Sequence, residues 1–175
     1  MIKKQEAALE RQWEALRLTC EELNGRIVRS ITGLGDAVAQ LAFQLEGAPA
    51  SERMLALDTG LVMLETCQRE LERLLGEAYA LEDCFAACKM KLALAECAEV
   101  EKENFAHLSA IKDEISRTEV AFSERRETWD RFCQATVPAF LERLSSLTEG
   151  AHPRLASILS LCGELEHEAE RLLRA

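Results

Sequence analysis

Glu164-Leu165-Glu166-His167 sets a carboxylate and an imidazole three residues apart, the spacing that carboxylate-bridged di-metal bundles use on one helix face. Such a centre also needs carboxylates from other helices and normally a second Glu-x-x-His. His107 does not supply one, because Glu103 stands four residues before it, and His152 precedes a proline. With glutamate abundant along the chain, the motif is expected to lie on a solvated helix face. Cysteines are the other candidate reactive groups: Cys20, Cys67, Cys84, Cys88, Cys97, Cys133 and Cys162. Cys84 and Cys88 share an i,i+4 spacing, but no histidine is near and no Cys-x-x-Cys occurs, so a zinc site is not indicated. Gly33-Leu34-Gly35 falls short of a phosphate-binding Gly-x-Gly-x-x-Gly. The reading is therefore of a chain that is not an enzyme, with no catalytic residue, no metal and no cofactor.

Charge offers binding instead of catalysis. Lys89, Lys91, Lys102, Lys112, Arg117, Arg125, Arg126 and Arg131 fall in one span of the chain and are the candidate contacts for anionic lipid or for a partner. The chain as a whole carries 21 basic against 31 acidic residues, a net charge of −10. That balance disfavours a phosphate-neutralising surface, so nucleic acid is not an expected partner.

These residues need elements to hold them, and the elements are helices. Gly (8), Pro (3) and aromatics (5%) are too scarce for an all-β chain rich in tight turns, whereas Leu, Ala, Glu and Arg dominate. Leu9, Trp13, Leu16, Cys20, Leu23, Ile27, Ile31, Leu34, Val38, Leu41 and Leu45 repeat at intervals of three and four, a near-heptad stripe. It predicts a helix over about 3–46, with Gly25, Gly33 and Gly35 as places to bend, break or admit another helix closely. Gly47-Ala48-Pro49-Ala50-Ser51 predicts a loop, with Gly47 as C′ residue and Ser51 as N-cap of the next helix. A second stripe from Leu57 to Ala95 predicts a helix over about 52–98. A third, from Leu108 through Ile115, Phe122, Arg125, Trp129, Phe132, Thr136 and Phe140 to Leu147, predicts one over about 100–149, kinked at Pro138; between the two stripes Glu96 to Asn104 is polar with no Pro or Gly, so they join through a short tip or run on as one very long helix. A short amphipathic helix follows over about 154–173.

The expected fold is thus all-α, one helical domain over 1–175: an elongated antiparallel three-helix coiled coil with a short fourth helix. Helices of about 45 residues are about 65–70 Å long. Their excess apolar length predicts a dimer, homo- or heteromeric, with Leu16, Leu23, Ile27, Leu34, Leu41, Phe122, Trp129 and Phe140 as its seam. No stretch of about 18 apolar residues exists for a membrane span. The start, Met1-Ile2-Lys3-Lys4-Gln5-Glu6, reads as charged helix and not as a secretory leader. Seven scattered thiols fit a reducing, cytoplasmic setting.

Gly33-Leu34-Gly35-Asp36-Ala37-Val38-Ala39-Gln40-Leu41-Ala42 resembles the end of the first helix of the BAR domain in sorting nexins of the Vps5 type. Phe122-Ser123-Glu124-Arg125-Arg126, Asp130-Arg131-Phe132 and Phe140-Leu141-Glu142 resemble that family's third helix. The resemblance spans about residues 10–148. It implies a crescent-shaped antiparallel dimer whose Lys and Arg side chains contact anionic membrane peripherally, in endosomal sorting. The eight cations named above are the positions that would do so. Without lipid contact, the same helices read as a cytoplasmic coiled-coil scaffold or adaptor subunit within a larger complex.

Overall fold

The structure, a computed structural model, describes residues 2–98, 102–148 and 154–174. All elements among these residues are helical: α1 (Ile2–Gly47), α2 (Ala50–Ala98), α3 (Lys102–Arg131), a π-helical turn (Phe132–Thr136), α4 (Val137–Thr148) and α5 (Leu155–Arg174). None is long and apolar enough to cross a membrane.

Helix α1 runs unbroken past Gly33 and Gly35. Gly47 is its last residue and does not enter the left-handed conformation that the C′ role requires. Only Ala48 and Pro49 separate α1 from α2, a connection short enough to turn the chain back antiparallel. The carbonyl of Pro49 accepts the Glu52 N–H at 2.9 Å, so α2 starts one residue before Ser51, which lies exposed in the first turn and is not the cap.

The third stripe is the one that the chain does not follow throughout. Pro138 has no N–H, and its ring would collide with the carbonyl of Gln134 in a regular helix. The helix absorbs this by widening for one turn rather than by a plain kink. The Val137 N–H reaches back five residues to the carbonyl of Phe132. Cys133 O then has no intrahelical donor, since Val137 is engaged elsewhere and Pro138 offers nothing. Gln68 Nε2 of α2 supplies one at 3.2 Å. The extra residue advances the phase of the buried face, so that Cys133 and Val137 are enclosed while Thr136, expected on the stripe, is half-buried.

The helices form two compact units. Unit 1 comprises Met1–Gly25 and Gly76–Glu127, the first half of α1, the second half of α2, and α3. Its core centres on Phe85, whose ring lies 6.1 Å from Trp13 and 5.9 Å from Phe122, one ring from each of its three helices. Such tilted ring pairs add to their simple apolar burial. Unit 2 comprises Arg26–Leu75 and Thr128–Ala175 and gathers four helical segments. Its core is mainly aliphatic, with Ile27, Ile31, Leu34, Leu64, Leu71 and Leu144 fully enclosed. One glycine, Gly60, lets its helices approach, whereas Gly35 leaves room for an ordinary contact. A Cβ at Gly60 would stand 2.6 Å from Leu41 Cδ1, and one at Gly35 would stand 3.5 Å from Ala169 Cβ of α5.

Candidate functional site

Three of the candidate cations lie in unit 1 on matched positions of two helices. Along α2, Glu82, Lys89 and Glu96 recur every seven residues; back along α3, Arg126, Glu119 and Lys112 recur at the same interval. Each faces its opposite. Arg126 Nε donates to Glu82 Oε1 at 2.5 Å, Lys89 pairs with Glu119, and Lys112 Nζ donates to Glu96 Oε2 at 2.8 Å. The sign alternates along each helix, so a slip by one heptad would bring like charges together. This is the antiparallel counterpart of the charged flanks that set partner and register in coiled coils.

The Glu82 end of this ladder is the more enclosed. The Arg126 and Glu82 side chains are only 13% and 21% exposed. Ser123 Oγ adds a second donor to Glu82 at 3.0 Å, and the Arg126 guanidinium lies over the Tyr79 ring, 4.2 Å from its centre. Guanidinium on an aromatic face is a further favourable contact. At the other end Glu96 is buried, and its hydrogen bond, followed by its charge, raises the pKa of Lys112.

The remaining candidate cations are elsewhere. Lys91, Arg117, Arg125 and Arg131 are exposed. Arg125, placed on the apolar stripe by spacing, points to solvent, and Arg126 is the one that turns inward. The side chain of Lys102 lies outside the described residues. The ladder was missed in the sequence because the span 80–117 is net acidic when counted whole; the signal was the heptad alternation of sign on both helices.

The residues expected to form an intermolecular seam are enclosed by the chain itself. Leu23, Ile27, Leu34, Leu41, Phe122, Trp129 and Phe140 are buried, and Leu16 is half-buried. The faces open to another molecule are different ones. In unit 1, the outer face of α2 from Ala80 to Ala98 exposes Ala80, Cys84, Ala87, Met90, Leu94 and Cys97, with Met90 67% and Leu94 66% accessible. In unit 2, Phe43 (78% accessible) and Leu55 line an open groove of about 580 Å³ beside the α1–α2 connection.

Groups with reactive chemistry stay apart. His167 and Glu164 are both exposed, and Glu164 pairs with Arg143 of α4 at 3.3 Å. His107 pairs with Glu10 at the surface, and His152 lies outside the described residues. Cys88 is buried and Cys84 exposed, so their i,i+4 spacing does not join them at one surface. Burial pushes the thiols of Cys20, Cys67 and Cys88 up, Cys162 to about 11 and Cys133 to about 12, away from the thiolate that nucleophilic chemistry needs. Among the described residues no group of three His, Cys, Asp or Glu side chains is placed to hold a metal ion. A groove of about 820 Å³ between α4 and α5 is lined by serines, Glu142, Arg143 and Glu164, with no histidine or cysteine.

No family model, curated protein or solved structure matches this chain. The likeness to sorting nexins therefore rests on the residues that carry it.

Proposed function

We propose that this chain is a non-enzymatic helical interaction module, a scaffold or adaptor subunit that meets protein partners through outward apolar helix faces. The observation that carries this reading is the α2–α3 ladder. Lys89, Lys112 and Arg126, which a lipid-binding surface would use, are matched one for one by Glu119, Glu96 and Glu82. Attraction to an anionic membrane gains about 1 kcal/mol for each Lys or Arg near the surface. Cations already paired with carboxylates contribute little to it, and the net charge of −10 opposes it. The exposed Met90, Leu94, Phe43 and Leu55 offer apolar area in its place.

The competing reading is the BAR-like dimer on endosomal membrane, and it would draw on the exposed Lys91, Arg117, Arg125 and Arg131. Vesicle flotation separates the two. The purified chain is mixed with neutral vesicles and with phosphatidylserine-rich vesicles at low and high salt. The scaffold reading expects the protein to stay unbound in every condition. Salt-sensitive flotation with anionic vesicles, lost in Arg117→Glu/Arg125→Glu, would overturn it in favour of lipid contact.

A further inference from the structure

The outer face of α2 in unit 1 has an internal symmetry. At 100° per residue, Ala80, Ala87 and Leu94 lie along its midline, one heptad apart. Asp83 and Met90 flank the midline on one side, Cys84 and Lys91 on the other. Every one of these residues is exposed. Asp83 and Lys91 are the charged residues of this face, and neither makes an ion pair among the described residues. That sets them apart from Glu82, Lys89 and Glu96 on the neighbouring face, which are all matched by α3. Asp83 and Lys91 stand four residues before and four residues after Ala87.

We infer that this face docks on the same face of a second copy of the chain, antiparallel and centred on Ala87. A two-fold axis through Ala87 sets Asp83 of each copy level with Lys91 of the other, so the two unmatched charges become two ion pairs. It sets Ala80 against Leu94 along the midline, a small residue facing a large one, with Cys84 and Met90 on opposite flanks of the contact. Ala87 faces its own equivalent on the axis. With Ala87 facing Ala87 on the axis, the helices pack at about 10 Å, the far end of the usual packing distance. A parallel pairing would stack Asp83 on Asp83 and Lys91 on Lys91, and the charges oppose it. The interface is isologous, as a closed two-fold dimer requires. It specifies the partner for the interaction module proposed above and rests on that reading.

The test uses the full chain and reads mass, register and charge. Light scattering on the eluting protein is expected to give a concentration-dependent rise from 19.6 kDa toward twice that mass. Leu94→Glu is expected to weaken association by roughly tenfold or more, as loss of a central apolar anchor does. Asp83→Lys and Lys91→Asp are each expected to weaken it by roughly fivefold, and the two together to restore it, since the pairs then re-form with signs exchanged. In a Cys84→Ser/Cys97→Ser background, Ala87→Cys is expected to cross-link to a dimer under mild oxidation, whereas Ala98→Cys stays uncross-linked, because a disulfide needs Cβ atoms within about 4.5 Å. Circular dichroism confirms that each variant is helical. A chain that stays monomeric at high micromolar concentration overturns the inference. So does a dimer in which the double charge exchange fails to restore association, or in which both introduced cysteines cross-link equally. If the inference fails while vesicles remain unbound, the interaction-module reading stands with a different partner; flotation on anionic vesicles would strike that reading instead.

Discussion

Unit 1 and unit 2 are built from the same two long helices, yet they set the alignment of their helices by different means. In unit 1 three helices meet on the rings of Trp13, Phe85 and Phe122, and charge aligns α2 with α3 through three pairs one heptad apart. In unit 2 four segments meet on a core that is mainly aliphatic, although it also buries Trp129, Phe132 and Phe140, and shape does the aligning. Leu41 sits in the space that Gly60 leaves, Ala169 approaches Gly35, and Gln68 reaches the carbonyl freed beside Pro138. A repeating apolar stripe alone tolerates a shift by one heptad, because each layer resembles the next. Alternating charges remove that ambiguity in one unit, and a unique notch and a unique carbonyl remove it in the other. The contrast also bears on function, because Lys89, Lys112 and Arg126 are engaged in holding α3, whereas Lys91, Arg117 and Arg125 of the same unit stay exposed.

The largest expected effect lies at the ring cluster. Phe85→Ala should cost about 3–5 kcal/mol in chemical denaturation, the usual loss for a buried phenylalanine. Hydrogen exchange should accelerate first in Trp13–Gly25 and Gly76–Glu127; equal acceleration in unit 2 would erase the distinction between the units. Next comes Gln68→Ala, which strands the Cys133 carbonyl and should cost about 1–3 kcal/mol. Gln134→Ala, at an exposed position of the same π-helical turn, should change stability by less than about 0.5 kcal/mol.

Gly60→Ala should lower stability by about 1 kcal/mol net, because overpacking against Leu41 outweighs the gain in helix propensity. Gly163→Ala, with nothing within 4 Å of the added Cβ, should raise it by up to about 1 kcal/mol. If both glycines respond alike, shape is not what aligns unit 2.

The smallest effect at neutral pH is that of the buried thiols, and it emerges only in alkali. Cys162 titrates at about 11 in the folded chain against 9.0 for an ordinary thiol. A raised folded pKa contributes stability that is fully present below the unfolded value and is lost as pH rises through the folded one. Stability should therefore be insensitive to this group below pH 9.0 and decline between 9.0 and about 11. Cys162→Ala should remove that part of the decline, as followed by denaturation at stepped pH.

Much of the fold was legible in the sequence, because intervals of three and four name the inward face of a helix directly. Trp13, Cys20, Ile31, Leu57, Ile115 and Phe122 are all placed inward by spacing, and all are buried. Spacing failed where the helix stopped being regular. Pro138 announced a disturbance, but the choice between a kink and a widened turn depends on Gln68, 65 residues before the Cys133 whose carbonyl it meets, and on which phase encloses Val137. The ladder was harder to see. Its two halves carry matching heptads of charge, but their alignment depends on where the chain reverses between α2 and α3, which no Gly or Pro marks. Arg125 and Arg126 show the cost of that gap. Adjacent residues of one type differ by 100° around the helix, and only the partner on α2 decides which one is turned inward.

The claim that charge aligns unit 1 is tested most directly by a double-mutant cycle on Glu82 and Arg126. Stability is measured for Glu82→Gln, Arg126→Gln and the two together, at low salt. The account predicts a coupling energy of about 1–3 kcal/mol, within the range for partners sharing a partly buried network. Additive losses, with no coupling beyond error, would contradict it.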